Sequence, residues 1–262
     1  NMRRFTTLYL AVFMLLITVS FVGCAKQEKT GLAKVKEAGE VSFAMSGGYP
    51  PFNYFNKQNE LVGFDVDVAK EVAKRPGVKL KPVTTEWSGI IEGLRSGIYS
   101  GILGSMAATE QRKKVVDFST PYYYSGAQMF VRTDSPFKSA DELKAKAVGL
   151  VTGTTFEQDA KNLGVSDIRL YKDDTHTLTE LTNGVIDGVI TDRVVGVNAM
   201  NSGKFKIKPL GSPLRKEDIA VAFRKEDKTL TDEVNKILKQ MHEDGTLTKL
   251  SKKWLKVDIT KK

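Results

Sequence analysis

Residues 104–124 read GSMAATEQRKKVVDFSTPYYY, and the predicted elements on either side are arranged around this stretch. It follows an apolar pair, Ile102 and Leu103, that predicts the end of a buried strand, and its charged centre predicts the start of a helix. Thr109 is placed to cap that helix, because a threonine hydroxyl before the first turn accepts a hydrogen bond from a free amide. Arg112 lies three residues further on, beside the unpaired amides and partial positive charge of a helix N-terminus. A guanidinium there predicts a site for a carboxylate, although an arginine on a basic helix is more often a solvated surface residue.

The composition is that of an ordinary globular protein, since 41% of the 262 residues are hydrophobic and 27% are charged. The net charge of +9 is scattered as lysines among acids, and no basic stretch is interleaved with aromatic residues. This pattern favours solubility or attraction to an anionic membrane rather than nucleic-acid binding. The single cysteine excludes a disulfide within the chain and a multi-cysteine metal site. His176 and His242 have no partners at metal-ligand spacing, so we expect no metal and no cofactor.

The N-terminus is predicted to be a targeting segment. Arg3 and Arg4 precede an apolar run over residues 8–22 that is too short for a comfortable membrane span. The run ends at Gly23-Cys24, which resembles a bacterial lipobox except that Phe21 stands where leucine is usual. We therefore expect a lipoprotein signal peptide over residues 1–23, lipidation of Cys24 and a tether over residues 24–31. The alternative is an ordinary secretion signal with a free thiol at its edge.

Strand and helix patterns alternate along the rest of the chain, which predicts an α/β fold with parallel sheets. Residues 96–103 and 183–190 resemble each other, because each stretch is a helix end, a glycine and then a buried strand. This repeat indicates two similar α/β lobes, each a mainly parallel sheet flanked by helices. Ligands of such sheets bind beyond the carboxyl ends of the strands. Two facing lobes would place Ser105, Arg112 and Asp192 across one cleft. The closing apolar strand is predicted at residues 219–223.

Five stretches in this order resemble the extracytoplasmic solute-binding proteins of ABC transporters, in the polar amino-acid family that includes lysine/arginine/ornithine- and glutamine-binding proteins. They are YPPF at 49–52, GFDVD at 63–67, TEQR with DFSTPY at 109–122, GTT at 153–155, and DGT with KW at 244–254. The resemblance covers residues 32–258 and implies a two-lobe, type II periplasmic-binding-protein-like fold with two hinge crossovers. It implies that residues 32–126 and 218–262 form lobe 1 and residues 127–217 form lobe 2.

The function implied by the resemblance is that of a receptor rather than an enzyme. It would capture a polar or neutral L-amino acid between its lobes and deliver it to the permease of an ABC importer. We expect an extracytoplasmic monomer that is held on the cell membrane, or in the periplasm, by its lipid anchor. The alternative is an enzyme similar to the cyclohexadienyl dehydratases, which act on arogenate or prephenate. Glu157 would then be the general acid, although a glutamate in a first helical turn also stabilises the helix dipole.

The resemblance assigns nine ligand-binding residues: Ser46, Tyr49, Trp87, Ser105, Ala107, Arg112, Thr154, Thr155 and Asp192. Arg112 would bind the ligand α-carboxylate, with help from backbone amides near Ala107 and in the Thr154-Thr155 turn. Asp192 would pair with the α-ammonium. A zwitterion needs such an anion site and cation site close together, and both gain strength when water is excluded.

The remaining assignments concern the ligand side chain. Tyr49 and Trp87 would cover it, whereas Ser105 would be a further polar contact beside the pairing of Asp192 with the α-ammonium. Ser46 stands where binders of cationic side chains carry an acid, so a lysine- or arginine-type ligand is disfavoured. Asp65, in the GFDVD stretch, is expected to be a structural helix cap.

Structural alternatives stay open for four of these residues. Tyr49 would then only pack its loop, and Trp87 would be a core residue at a helix start. Thr155 and Asp192 would each only cap the helix that follows them.

Overall fold

The structure is a computed structural model that describes residues 29–262. The predicted signal peptide, Cys24 and most of the predicted tether lie outside the described residues. Residues Gly31–Lys262 form one compact unit. Within the described part of the chain, no helix has both the length and the apolar character needed to cross a membrane.

One part of the structure, which we call lobe 1, contains α1 (Gly31–Ala38), β1 (Glu40–Met45), β2 (Gly48–Tyr49), β3 (Asn53–Phe55), β4 (Leu61–Val62), α2 (Phe64–Lys74), β5 (Lys79–Thr84), a 3₁₀ turn (Trp87–Gly89) leading into α3 (Ile90–Arg95), β6 (Gly101–Ile102), α4 (Glu110–Lys113), β7 (Asp117–Phe118) and, from later in the chain, β13 (Ala222–Phe223), α8 (Lys228–Glu243) and α9 (Thr246–Leu255). Its main sheet has the strand order β5-β1-β6-β13-β7. Strands β5, β1 and β6 are parallel, whereas β13 is antiparallel to both β6 and β7. Strands β2, β3 and β4 form a small separate sheet.

The other part, which we call lobe 2, contains β8 (Tyr123–Arg132), a 3₁₀ turn (Ala140–Leu143), β9 (Ala147–Val151), α5 (Phe156–Asn162), β10 (Asp167–Tyr171), α6 (Asp174–Thr182), β11 (Gly188–Asp192), α7 (Arg193–Asn201) and β12 (Ile207–Ile219). Its sheet has the strand order β10-β9-β11-β8-β12. Strands β10, β9 and β11 are parallel, and β8 is antiparallel to β11 and β12. Both sheets place their three parallel strands in the same relative order, second-first-third, which confirms the prediction of two similar α/β lobes.

Helices cover both sheets because their apolar faces need burial. In lobe 1, Leu230, Ile237 and Met241 of α8 join one buried cluster with Phe43 of β1 and Phe64 of α2. Lobe 2 has its own clusters, built from apolar residues of β8, β9 and β11 and of the helices beside them. These cores hold the carboxyl ends of the parallel strands in place, and a cavity between the two lobes lies at those ends.

The two crossovers between the lobes are the paired strands β8 and β12. Their antiparallel register runs from Tyr123 opposite Ile219 to Gly126 opposite Lys216 and on to Ala127 opposite Arg215, where the register shifts. A Cβ at Gly126 would lie 2.3 Å from the Arg215 carbonyl oxygen, so the close approach of the strands requires glycine. The predicted lobe borders, after residues 126 and 217, lie in this ribbon and stay a prediction.

The sequence prediction missed β12 and was wrong to place one strand over residues 219–223. The segment IKPLGSPLRKEDI contains Pro209 and Pro213, which argue against a strand in the centre of a sheet. Strand β12 is at the edge of its sheet, where the missing proline N–H groups are tolerated. The apolar residues after Ile219 form only the short strand β13.

Candidate functional site

A cavity with about 560 Å³ of empty space, including its open mouth, lies between the two lobes. All nine predicted ligand-binding residues line it. The complete lining is Ser46, Gly48, Tyr49, Trp87, Gly104, Ser105, Ala107, Arg112, Val151, Thr154, Thr155, Phe156, Lys172, Asp173, Asp174, Asp192, Glu217 and Ile219. We refer to it as the interlobe cavity.

Arg112 spans the gap between the lobes. Thr109 caps α4 as predicted, since its Oγ1 accepts a hydrogen bond from the Arg112 backbone N–H at 3.2 Å. The guanidinium Nη1 donates to the Ala107 carbonyl of lobe 1 at 3.0 Å, and Nη2 donates to the Gly153 carbonyl of lobe 2 at 3.2 Å. Burial lowers the pKa of Arg112, and the charge of Glu217 opposes that change. The side chain therefore lies in the cavity rather than in bulk water.

Trp87 holds the same guanidinium from another side. The Arg112 Cζ atom is 5.7 Å from the centroid of the indole ring, which is within cation–π distance. The Trp87 indole N–H donates to the Gly153 carbonyl at 3.3 Å, so one carbonyl of lobe 2 accepts hydrogen bonds from two side chains of lobe 1. Trp87 also packs partly against an apolar cluster of lobe 1 that includes Ile90, so the core interpretation accounts for part of its surroundings.

Asp192 is 1% exposed and ends β11 at the cavity. Its Oδ1 accepts hydrogen bonds from the backbone N–H groups of Val194 at 2.7 Å and Val195 at 3.3 Å, so it does cap α7. Burial raises the pKa of Asp192 to about 7, the charge of Glu217 adds to this, and the bonds from Ser125 and the two amides oppose it. Asp192 therefore both caps α7 and lines the cavity.

The interpretation of Thr155 as only a helix cap is wrong. Thr155 occupies the N-cap position of α5, but its hydroxyl makes no cap hydrogen bond and instead donates to Glu217 Oε1. The Thr154 hydroxyl donates to the Val151 carbonyl at 2.7 Å. Both hydroxyls are engaged within the protein, and the Thr154 backbone N–H also donates to the Val151 carbonyl, at 3.3 Å.

Glu217 is a cavity residue that the sequence prediction missed. It is 6% exposed, and its Oε1 lies 2.9 Å from Arg215 Nη2. Arg215 also holds Asp159 with two hydrogen bonds of 2.9 and 2.8 Å. This network ties crossover strand β12 to α5, beside the Thr155 turn. In the sequence, Glu217 sits in a charged run, RKED, that is typical of a solvated surface.

The loop that carries Tyr49 is held by aromatic packing. The Tyr49 ring stacks on Phe52 with the centroids 5.7 Å apart, so the packing interpretation of Tyr49 describes part of its environment. Burial raises the pKa of Tyr49 well above its usual value, and the charges of Asp192, Asp174 and Glu217 raise it further. The tyrosine therefore stays neutral in the cavity.

A buried carboxylate organises the lobe 1 wall of the cavity. Asp65 is fully buried and accepts hydrogen bonds from Asn53 Nδ2 at 2.7 Å, from Ser105 Oγ at 2.8 Å and from the Tyr122 hydroxyl at 2.6 Å. The expectation that Asp65 is a helix cap is wrong, because the N-cap position of α2 belongs to Gly63. Burial raises the pKa of Asp65 to about 6, against these three donors.

The same network fixes the orientation of two predicted ligand contacts. Ser105 has a φ of +64°, which is rare for a non-glycine residue, and its hydroxyl is directed at Asp65. The Ser46 hydroxyl donates to Asn53 Oδ1 at 3.2 Å and accepts from the Gly48 N–H at 3.3 Å.

Three consecutive residues of lobe 2, Lys172, Asp173 and Asp174, also line the cavity and were not predicted. Asp173 caps α6 by accepting from the His176 N–H at 2.9 Å, and Asp174 is the first residue of that helix. The signal that could have found them is the acid pair directly before a helical pattern.

Glu157, the candidate general acid of the dehydratase alternative, is not among the residues that line the interlobe cavity. Its Oε1 forms an ion pair with Lys161 at 2.9 Å, and it lines an adjoining pocket that shares Arg112, Thr154 and Thr155 with the interlobe cavity. Residues 29–262 contain no group of three or more His, Cys, Asp or Glu side chains arranged to hold a metal ion.

Comparisons with known proteins agree with this architecture. The model of the bacterial extracellular solute-binding proteins, family 3, matches residues 41–257. The L-cystine-binding protein TcyJ of Escherichia coli (strain K12) is 35% identical over 233 residues, which cover 88% of each protein. A mutant of ArgBP from T. maritima, a protein also solved in an arginine-bound form, superposes with a TM-score of 0.82 at 32% identity and covers 86% of this chain and 98% of its own.

A third similar structure is the ancestral amino acid-binding protein AncCDT-1, described as a precursor of cyclohexadienyl dehydratase. It has a TM-score of 0.81 and 33% identity, over 85% of this chain and 98% of its own. Both TcyJ and AncCDT-1 are named as binding proteins. The family model matches most of the chain, and TcyJ, at 35% identity, aligns with 88% of it. This chain therefore belongs to the bacterial extracellular solute-binding proteins, family 3.

Proposed function

We propose that this protein is the amino-acid-binding receptor of an ABC importer. It captures an L-amino acid between its two lobes and delivers it to the permease. The observation that carries the proposal is that Arg112 of lobe 1 and Asp192 of lobe 2 line the same cavity. One side chain suits an α-carboxylate and the other an α-ammonium, so the pair matches the two charges of a zwitterion.

The opposite charges on opposite lobes also explain how a ligand would favour the closed form. An amino acid that contacts both lobes binds the closed arrangement better than an open one, and its differential affinity shifts the population toward closure. The Gly153 carbonyl already joins lobe 2 to Trp87 and Arg112 of lobe 1. Closure around the ligand would exclude water and strengthen the charge-assisted hydrogen bonds.

The ligands named for the relatives define the compounds to test first. TcyJ is an L-cystine-binding protein and ArgBP has an arginine-bound form. We propose that the protein is not an enzyme, because the acid on which the dehydratase alternative depends pairs with a lysine outside the interlobe cavity. We also propose that the mature protein begins at a lipidated Cys24, acts outside the cytoplasm on the membrane surface, and is a monomer.

The test is differential scanning fluorimetry of the purified protein with each of the twenty L-amino acids, ornithine and cystine. A true ligand at about 100 times its dissociation constant adds roughly 2.7 kcal/mol to the free energy of unfolding, which is a clear thermal shift. D-enantiomers of the compounds that bind are the matched control, because a D-amino acid whose ammonium and carboxylate meet the same partners directs its side chain elsewhere. If no compound raises the melting temperature, the assignment is wrong. Conversion of prephenate to phenylpyruvate would instead establish the enzyme.

A further inference from the structure

We propose that the interlobe cavity contains a second cation site, built around Asp174, and that the ligand carries a second cationic nitrogen at the far end of its side chain. The proposal rests on the amino-acid-binding function and adds the class of amino acid. It is carried by the position, burial and partners of Asp174.

Asp174 is an unusual buried acid. It is 5% exposed and lines the cavity, and among the described residues one hydrogen bond reaches its carboxylate, from the Thr191 hydroxyl to Oδ1. Within the described residues it takes part in no ion pair. A buried carboxylate without a cation is costly unless its surroundings compensate. A cationic group of the ligand would supply that compensation.

The other buried acids of the described chain have more donors. Asp65 accepts from three neutral groups, and Asp192 accepts from two backbone amides. Arg215 binds both Asp159 and Glu217, and Glu217 also accepts from Thr155. Asp227 is bound by Arg224 and by the Gly31 N–H. Asp174 therefore differs from each of them in having a single neutral donor. Burial raises its pKa to about 6, and the neighbouring charge of Asp173 contributes in the same direction.

The charges in the cavity divide into two groups. Arg112 is bonded to the Gly153 carbonyl, in the same turn as Thr155, whose hydroxyl donates to Glu217. Asp174 instead accepts from Thr191 of β11 and follows Asp173, the cap of α6. A different segment of lobe 2 therefore holds Asp174 than the one that contacts Arg112.

The Asp174 end of the cavity also faces lobe 1. A Cβ placed on Gly48 would be 3.7 Å from the Asp173 Cβ, which brings the Lys172–Asp174 segment against the loop that carries Ser46. In the sequence, the neutral Ser46 disfavoured a basic ligand. Asp174 supplies an acid to this region from the opposite lobe.

Two kinds of amino acid present such a nitrogen. One has a basic side chain, such as arginine or lysine. The other has two α-amino-acid groups, such as cystine, and would need a partner for its second carboxylate. Lys172 lines both the interlobe cavity and the neighbouring pocket that extends past Glu86, and its ammonium makes no ion pair or hydrogen bond within residues 29–262.

The experiment is isothermal titration calorimetry with ligand pairs that differ in the far charge: L-arginine with L-citrulline, L-lysine with L-norleucine, and L-cystine with S-methyl-L-cysteine. We expect the charged member of at least one pair to bind wild-type protein about 30-fold more tightly or better. In Asp174→Asn this preference should fall to about threefold or less, because asparagine still accepts from Thr191 but has lost the charge. Asp134→Asn is the control, since it removes an equal charge from a side chain that is 83% exposed.

Lys172→Gln identifies the kind of ligand. Weaker cystine binding with unchanged arginine binding indicates two α-amino-acid groups, and unchanged binding of a preferred basic amino acid indicates a basic side chain. Either result supports the second cation site. The proposal is overturned if the neutral members bind as tightly as the charged ones, or if Asp174→Asn keeps the full preference. If the variant fails to fold, equal binding of the neutral and charged members by wild-type protein still overturns the proposal. Binding of no amino acid at all would instead refute the receptor function.

Discussion

Replacing Asp192 with asparagine separates two tasks of this side chain: the helix cap, which the structure shows, and the contact with a ligand ammonium, which we propose. Asparagine caps helices about as well as aspartate, so the hydrogen bonds from Val194 and Val195 should survive in Asp192→Asn. The variant removes the charge and leaves the shape. Its effect on binding can therefore be assigned to the charge.

The two expected effects have opposite signs. Burial raises the pKa of Asp192 to about 7, so the ionised carboxylate opposes folding above that pH and its removal should leave the stability at pH 8 unchanged or higher. Binding should weaken, because removing one partner of a buried charge pair costs about 2–5 kcal/mol. Since each 1.4 kcal/mol is a factor of ten, the dissociation constant should rise about 30-fold to 4,000-fold.

Titration calorimetry with the tightest ligand of the amino-acid panel, together with thermal melts at pH 8, measures both quantities. Asp192→Ala is the control, because it also loses the cap and should lose about 0.5–2 kcal/mol of stability. If Asp192→Asn binds with wild-type affinity, Asp192 is a helix cap and no more, and the proposed ammonium site is wrong.

Three further predictions concern the same cavity. Arg112→Ala should abolish binding in calorimetry while the thermal melt stays cooperative, and wild-type affinity in that variant would contradict the carboxylate role. Trp87→Phe keeps an aromatic ring but removes the N–H that donates to the Gly153 carbonyl. Since a net hydrogen bond contributes about 0.5–1.5 kcal/mol, the ligand should dissociate roughly 2- to 12-fold faster in stopped-flow experiments. Trp254→Phe is the control and should leave this rate unchanged. Affinity should fall as the pH is lowered from 8 to 5.5, because protonated Asp192 cannot pair with an ammonium. Over the same range the ligand-free protein should gain stability from this group, since a folded-state pKa raised above the unfolded one favours proton uptake on folding. A flat pH profile of the dissociation constant would exclude this carboxylate from the site.

Much of the fold could be predicted from local patterns. The alternation of apolar strands with helical stretches predicted two similar α/β lobes, and the repeated helix–glycine–strand segments end in β6 and β11, which occupy equivalent positions in the two sheets. The cap by Thr109 was also predictable, because a cap depends on residues three positions apart. The strand β12 was not, because its prolines are acceptable only at a sheet edge, and the sequence does not say which strand is at the edge.

The residues themselves determined the chemistry that the protein can offer: a guanidinium behind a capped turn, an acid at a strand end, and aromatic side chains between them. Only the tertiary structure decided which further groups join them. Arg112 reaches a carbonyl 41 residues away, and Thr155 donates to a carboxylate 62 residues away. Local sequence controls backbone conformation and capping over a few residues. Long-range packing of two separate cores decides which charges are buried together, and that brought Glu217 and Asp174 into the cavity.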